Sequence, residues 1–221
     1  MRAELRKLTT VRSPWLLLAA AVALVAVGAG SRIAKQPDDA AGAAAHAGLA
    51  ALFPLALGIM ALAGEFRHRT IADTYLATPD RTRVLLRKFA VYTAAGAGFG
   101  IAAAGTAAIV VVLKSDPVPW GTLAGAVAWN ALFAAIGVGL GALVRSQVGS
   151  IAGALAWLAL IEGVAAEVVG DDAARWLPFR AAMALGGMPG TTLGQGTAAV
   201  VLGAYALAFI ASAFAVQHRD L

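Results

Sequence analysis

The sequence predicts an all-α integral membrane protein with six transmembrane helices. Of its 221 residues, 60% are hydrophobic and only 13% are charged, and the mean hydropathy is +0.79. A soluble domain needs more polar surface than this composition supplies. Six apolar runs each reach the length of about 17–25 residues that spans a bilayer. The whole chain, 1–221, is expected to form one transmembrane domain.

The apolar runs are expected to be the six spans. They cover residues 13–31, 47–63, 89–113, 121–144, 148–169 and 197–216. Pro54 lies inside the second run and is expected to kink that helix. The segment 1–12 carries Arg2, Arg6, Lys7 and Arg12, and predicts a short interfacial helix with its basic residues towards anionic lipid. The first run also resembles a cleavable signal peptide, but it is long for one and five more spans follow it.

Lysine and arginine are unevenly divided between the predicted loops. With both termini in the cytoplasm, the inner segments carry twelve of the 17 basic residues and the outer segments carry five. The inner set is Arg2, Arg6, Lys7, Arg12, Arg67, Arg69, Arg81, Arg83, Arg87, Lys88, Arg145 and Arg219. The outer set is Arg32, Lys35, Lys114, Arg175 and Arg180. The positive-inside rule therefore predicts cytoplasmic termini and a cytoplasmic loop at residues 64–88.

The loop at 64–88 is expected to contain two helical pieces. Thr70 followed by Asp73 fits a capping box, which predicts a helix over residues 71–77. Pro79 forces Thr78 out of the helical region and ends that helix. Thr78, Pro79 and Asp80 then fit the N-cap, first position and first turn of the next helix. A rigid helix between two spans can receive a push from a soluble partner and transmit it to both.

Several residues of this loop resemble those of a known family. The first cytoplasmic loop of bacterial ATP-binding-cassette exporter permeases of the type-two class often reads E-x-R-x-G-T, then P-x-R and a following K. The similar residues here are Glu65-Phe66-Arg67, Thr70-Ile71, Pro79, Arg81, Arg83 and Lys88. Arg69 stands where that family usually has Gly. The likeness extends over the whole chain as a six-span plan.

The resemblance implies a permease subunit of an exporter in the bacterial inner membrane. Such a subunit forms a homodimer, or pairs with a similar permease, and binds separate ATPase subunits that hold ATP and Mg. The loop would then be the cytoplasmic coupling helix between spans two and three. The implied ATPase-coupling residues are Glu65, Arg67, Thr70, Ile71, Asp73, Thr74 and Tyr75. For Arg87 and Lys88 we expect a different role, the anchoring of helices to lipid head groups.

The chain lacks the motifs that its own ATP or metal chemistry would need. None of its four Lys follows a Gly as the phosphate-loop pattern demands, so neither enzyme activity nor a directly bound cofactor is expected. Cysteine is absent, which excludes disulfides and thiolate metal sites. His46, His68 and His218 lie at span margins and predict no metal cluster. Basic residues cluster at span ends, which argues against nucleic-acid binding.

Residues 170–196 do not fit a simple span. Asp171, Asp172, Arg175 and Arg180 surround the apolar stretch 176–179, and a Gly- and Pro-rich stretch follows at 186–190. This pattern predicts short outer-interface or re-entrant helices between spans five and six. The family that the chain resembles has short helices at this point.

Two polar residues inside spans are candidates for a substrate path or gate. Asn130 fits either an interhelical hydrogen bond or a substrate contact. Glu162 lies roughly 20 Å from the inner surface, at a depth where a carboxylate must face protein or water. It fits either an ion pair with Arg175 or Arg180, which would pin the outer segment, or a role at the outer mouth of the path.

The composition of the spans bears on packing and cargo. Glycine pairs four residues apart predict close helix packing, mostly within the chain and in part between two copies. These pairs are Gly96/Gly100, Gly121/Gly125, Gly137/Gly141 and Gly149/Gly153. Spans made mostly of Ala, Gly, Val and Leu favour an amphipathic or lipid-like cargo over an ion. The alternatives are a secondary transporter and a non-transporting membrane scaffold or immunity protein.

Overall fold

Six helices of the computed structural model are long and apolar enough to cross a bilayer. The structure describes residues 2–114 and 117–219, and in this part of the chain every regular element is a helix. The spans are Arg12–Lys35, Ala40–Arg67, Arg81–Val112, Trp120–Val144, Gln147–Val169 and Gln195–Val216. The prediction of an all-helical, multi-pass membrane protein with six spans is therefore confirmed.

The described residues contain twelve α-helices and one π-helical turn. They are α1 (Arg2–Thr10), α2 (Arg12–Lys35), α3 (Ala40–Leu49), α4 (Leu52–Arg67), α5 (Ile71–Ala77), α6 (Arg81–Val112), α7 (Trp120–Val144), α8 (Gln147–Ala156), the π turn (Trp157–Ile161), α9 (Glu162–Val169), α10 (Asp171–Ala174), α11 (Pro178–Leu185) and α12 (Gln195–Arg219). The second span consists of α3 and α4, and the fifth of α8, the π turn and α9.

The fourth span, α7, lies at the centre of the bundle. It packs along α4, α6 and α12, and it also contacts α3, α8 and α11. A Cβ added at Gly137 of α7 would lie 2.2 Å from the carbonyl oxygen of Leu55 on α4. A Cβ added at Gly96 of α6 would lie 2.6 Å from the carbonyl oxygen of Asn130 on α7. These glycines therefore serve packing within the chain, because only hydrogen lets the backbones approach so closely.

The second span breaks at Ala50 and Ala51, as its proline predicts. Pro54 has no N–H to give to the carbonyl oxygen of Ala50. That oxygen instead accepts the N–H of Phe53 at 3.0 Å, and the N–H of Ala51 donates to Gly48 at 2.9 Å. The interruption divides the span into α3 and α4, and the missing N–H of Pro54 is its cause. The angle between the two helices stays a prediction.

The connection between the first two spans is shorter than expected. We expected a loop over 32–46, but α2 runs to Lys35 and α3 begins at Ala40. Asp39 caps α3, since its Oδ1 accepts the N–H of Gly42 at 2.8 Å, and its Oδ2 pairs with Arg32 at 2.6 Å. The Gly42 amide and the Arg32 guanidinium lower the pKa of Asp39. The cap is thus charged, and complete, at neutral pH.

The connection between the second and third spans differs from the prediction in its caps. Helix α5 has the predicted bounds, but Thr70 makes no side-chain cap bond, because its backbone is helical (φ −90°, ψ −1°) instead of extended. Thr78 is extended before Pro79, as expected, yet it does not cap the next helix. Asp80 does, with its Oδ1 accepting the N–H of Arg83 at 3.0 Å. Both predicted threonine caps are therefore wrong.

Spans five and six are joined by short helices, as predicted. Helices α10 and α11 follow the fifth span, and α11 packs on α12 and α7. The fifth span itself is mostly exposed. A Cβ added at Gly153 of this span would have no neighbouring atom within 4 Å. Its contribution to a contact between two copies stays a prediction.

Parts of two predicted segments lie outside the described residues. The predicted outer turn 114–120 includes residues 115 and 116, and the predicted tail 217–221 includes residues 220 and 221. Helix α12 continues three residues beyond the predicted end of the sixth span, from 216 to Arg219.

Arg69 adopts the left-handed backbone conformation (φ 57°) that glycine adopts most easily. Arg69→Gly should therefore raise the free energy of unfolding above that of Arg69→Ala by about 1 kcal/mol, since a Cβ is penalised in this region. Both variants remove the same charge, so the comparison isolates the backbone. Thermal unfolding of the purified variants in detergent measures the difference, and equal stability would contradict the prediction.

Candidate functional site

Four charged side chains meet at the end of the bundle that carries α5. Glu4 comes from α1, Lys7 from the next turn of α1, Glu65 from the end of α4, and Lys88 from the first part of α6. Lys88 is 0% exposed, and Glu4 and Glu65 are also buried. We call these four residues the ion cluster. Two positive and two negative charges balance within it.

Lys88 is the centre of the ion cluster. Its Nζ donates to Glu65 Oε1 at 2.7 Å, to Glu4 Oε1 at 3.1 Å and to the carbonyl oxygen of Ala61 at 2.9 Å. An ammonium group has three N–H donors, and all three have acceptors here. A lysine can be buried when each N–H of its ammonium group has an acceptor, because an unpaired charge in a protein interior is very costly.

Lys7 closes the ion cluster from the surface side. Its Nζ donates to Glu65 Oε1 at 2.6 Å and lies 3.5 Å from Glu4 Oε1. Burial alone would lower the pKa of Lys7, but its pairing with Glu65 and Glu4 outweighs burial and raises that pKa above the ordinary value. A raised pKa means that the ion pair stabilises the fold at neutral pH. That contribution is lost only as the pH rises above the ordinary lysine pKa of about 10.4.

The ion cluster also contacts the short helix α5. Thr74 Oγ1 lies 3.4 Å from Glu65 Oε2, a long hydrogen bond, and 3.2 Å from the carbonyl oxygen of Thr70. The guanidinium of Arg81 lies over the ring of Tyr75, and the distance from its Cζ to the ring centroid is 5.0 Å. Helix α5 is therefore tied to α4 through Glu65 and to the start of α6 through Arg81.

The predicted coupling residues fall into two groups. Glu65, Ile71, Thr74 and Tyr75 are buried or half-buried and face the bundle, whereas Arg67, Thr70 and Asp73 are exposed. Arg67 Nη1 reaches Gln147 Oε1 at 3.4 Å, which connects α4 to the start of the fifth span. Leu76 lies within the stretch 70–76 that was expected to touch a partner, although it was not named among the coupling residues, and it is 82% exposed on α5.

Two predictions about basic residues are corrected by the ion cluster. We expected Lys88 to anchor a helix to lipid head groups, but its ammonium is fully buried. We expected the basic residues of the first segment to face lipid, but Lys7 points to Glu65. Glu4 was missed altogether. Its signal is that it is the only acidic residue before Asp38, placed among four basic ones.

Asn130 forms an interhelical hydrogen bond. Its side chain is fully buried, and Nδ2 donates to the carbonyl oxygens of Ala47 on α3 at 3.2 Å and Ala126 on α7 at 2.8 Å. Its neighbour Trp129 packs edge-on against Phe133 and Phe179, with both centroid distances at 5.8 Å. Of the two predicted roles for Asn130, these contacts favour the interhelical bond.

Glu162 is buried, as its depth predicted, but its partners are not the predicted ones. Its carboxylate accepts the backbone N–H of Phe179 at 2.9 Å, the N–H of Arg180 at 3.1 Å and the indole N–H of Trp157 at 3.0 Å. Phe179 and Arg180 are the second and third residues of α11, whose free N–H groups favour a negative charge. Glu162 thus caps α11 and pins it to the fifth span.

The guanidinium groups proposed as partners of Glu162 bind elsewhere. Arg175 Nη1 lies 3.5 Å from Asp172, and Arg180 Nη1 lies 3.9 Å from Asp171. The predicted Glu162–arginine ion pair is therefore wrong, although the predicted consequence, a pinned outer segment, is found.

Two cavities lie beside these residues. A cavity of about 430 Å³ adjoins the ion cluster and is lined by Lys7, Glu65 and Tyr92 among others. An apolar cleft of about 360 Å³ lies between the fifth span and α4, α7 and α12, lined by Leu55, Phe133, Trp157, Tyr205 and Phe209 among others. Among residues 2–114 and 117–219, no group of three His, Asp or Glu side chains is placed to hold a metal ion.

No protein-family model matches the chain, and no curated protein matches it. The function is therefore inferred from the geometry of the ion cluster, α5 and the two cavities.

Lys88→Met should lower the free energy of unfolding by about 3–5 kcal/mol, because it leaves buried carboxylates without their central cation. The double variant Lys88→Met, Glu65→Gln should lose less free energy of unfolding than the two single variants lose in sum. The neighbouring Arg87→Met, which removes a half-exposed charge of the same sign, is the control and should stay within about 0.5 kcal/mol of wild type. Unfolding in mixed micelles measures the four variants and the wild type, and additive single effects would contradict a coupled cluster.

Glu162→Gln should lower the free energy of unfolding by about 1–3 kcal/mol, because an amide NH₂ replaces one of the two oxygens that face the N–H groups of α11. Arg175→Gln and Arg180→Gln should each cost less than about 1 kcal/mol, since their ion pairs are surface-exposed. Thermal unfolding in detergent ranks the three variants. A loss for Arg180→Gln as large as that for Glu162→Gln would restore the guanidinium as the true partner.

Proposed function

We propose that this chain is the membrane-spanning permease subunit of an ATP-driven exporter, in which α5 receives the movement of a separate ATPase subunit. The observation that carries the proposal is the linkage of α5 to the ion cluster. Through Thr74 and Glu65 the short helix rests on Lys88, and through Lys88 on Glu4. A partner that pushes on α5 would therefore act on α1, α4 and α6 together.

The ion cluster makes the link between α5 and the ends of α4 and α6 stiff. A buried ion pair whose ammonium has an acceptor for each N–H resists separation, because moving one charge away leaves the other unpaired in a dry environment. A force on α5 therefore moves the ends of α4 and α6 as one body and does not dissipate in a flexible loop. Such a coupled element is suited to bias two arrangements of the spans when a ligand binds the partner.

The exposed side of α5 is the proposed contact for the ATPase. It presents Asp73 and Leu76, flanked by the exposed Arg67 and Thr70. An exposed apolar side chain surrounded by polar ones matches the general plan of a protein interface, which has an apolar centre and a polar rim. Glu65, Ile71, Thr74 and Tyr75 then act from inside, as residues that hold α5 in place. ATP and Mg belong to the partner in this proposal, because the chain has no phosphate loop.

The apolar cleft supports an amphipathic or lipid-like cargo. Its volume of about 360 Å³ and its aromatic walls suit a hydrocarbon and offer no ligands for an ion. The largely exposed fifth and sixth spans offer surface for a second copy or a similar permease. The charge distribution of the loops supports cytoplasmic termini, and the bacterial inner membrane is part of the proposal because the resembled exporters reside there.

Two rival functions receive less support. A secondary transporter is expected to carry ionisable groups near the midplane of both halves. The ion cluster instead lies at the ends of the spans, and Glu162 is occupied as a helix cap. A scaffold or immunity protein would share the fold, and it differs in having no ATPase partner.

The test uses the absence of native cysteine. Leu76→Cys and Asp73→Cys should cross-link to an ATPase that carries a phosphate loop and co-purifies in mild detergent, whereas the inward-facing Ile71→Cys should cross-link weakly. In intact cells, Leu76→Cys should resist a membrane-impermeant maleimide, as a cytoplasmic position must. Co-purification of no ATPase would favour a scaffold, and cross-links only from the turn at 145–147 would move the coupling site away from α5.

A further inference from the structure

The cavity of about 430 Å³ beside the ion cluster has one polar and one apolar wall. The polar wall includes Lys7, Arg67, His68 and Thr70. The apolar wall includes Leu57 and Met60, which lie about two to three helical turns before Arg67 on α4. Its volume falls within the range of about 300–1,000 Å³ that is usual for ligand sites. A ligand that fills it must therefore be polar at one end and apolar at the other.

The polar wall carries an excess of positive charge. Glu65 is its one carboxylate, and the charges of Glu65 and Glu4 are already matched by Lys88 and Lys7. Arg67 then remains as an additional cation on the wall, and the imidazole of His68 adds a ring N–H that can donate to an anion. Lys7 is 48% exposed at its side chain and donates to two carboxylates, which leaves its third N–H for a ligand. An anion is the group that this wall attracts.

The cavity lies at the level where lipid head groups meet the protein. Ser13 and Pro14 at the start of α2 line it, and the next residue, Trp15, is exposed. The second span ends at Arg67 and the fifth begins at Gln147, both on the cavity wall. An interfacial tryptophan and span ends at one level are typical of the membrane–water boundary.

We propose that this cavity binds an anionic phospholipid, with its phosphate against Lys7, Arg67 and His68 and the first part of an acyl chain against Leu57 and Met60. Free phosphate has the same head-group chemistry but would leave the apolar wall uncovered. A bound lipid contacts α1, α4 and the start of α8 together, so it stabilises the packing around the ion cluster. The proposal is independent of the ATPase partner and is tested without one.

The test measures lipid binding to the full-length protein in detergent. Phosphatidylglycerol, phosphatidylcholine with the same acyl chains and inorganic phosphate are added separately, and bound lipid and the thermal midpoint are recorded. Phosphatidylglycerol should bind and raise the midpoint, and the other two should have much smaller effects. Arg67→Gln should bind phosphatidylglycerol about fivefold more weakly, the factor expected for one basic residue at an anionic lipid surface.

Two further variants make the result specific. Arg69→Gln removes an exposed arginine that does not line the cavity, and it should bind phosphatidylglycerol as wild type does. Met60→Trp fills the apolar wall and should abolish the preference for phosphatidylglycerol while leaving any effect of inorganic phosphate. Equal binding of the two lipids, or equal losses from Arg67→Gln and Arg69→Gln, would overturn the proposal. A full effect of inorganic phosphate that Met60→Trp leaves intact would replace the lipid by a free anion.

Discussion

The burial of Lys88 is the constraint on which the end of the bundle that carries α5 depends. An ammonium group with no exposed surface requires acceptors for all of its N–H groups, and these come from α1 and α4 as well as from the main chain. The helices that supply them cannot separate without leaving a charge unpaired. The amino-terminal helix is therefore part of the folded bundle and not an appendage on the membrane surface, although its basic composition suggested the latter.

The spans could be predicted from the sequence because the bilayer imposes a local rule. A run of apolar residues long enough to cross hydrocarbon forms a helix whatever lies elsewhere in the chain. The break before Pro54 is local in the same way, since one missing N–H causes it. The caps at Thr70 and Thr78 could not be predicted so well. A cap depends on whether the backbone is extended at that residue, and Asp80, which has the extended conformation, made the bond instead.

The candidate site shows the same division between local and distant information. The charged loop marked Glu65 as unusual, and depth in the membrane required Glu162 to face protein. Their partners depend on tertiary packing. Lys88 meets a carboxylate 84 positions away in the chain, which no local pattern encodes. Glu162 binds backbone N–H groups, and these are present at the start of every helix and so carry no signature in the side-chain sequence.

The break between α3 and α4 gives the second span a point about which α4 can tilt relative to α3. Above it, α3 is held against the central helix by Asn130 and Trp129. Below it, α4 is a rigid rod of 16 residues that ends in the ion cluster. Glu65 lies roughly 20 Å from the break, so a tilt of about 10° would carry it about 3 Å while leaving α3 in place. A tilt of α4 about the break would therefore move mainly its far end. That end lies beside α5, the helix that faces the cell interior in the proposed orientation.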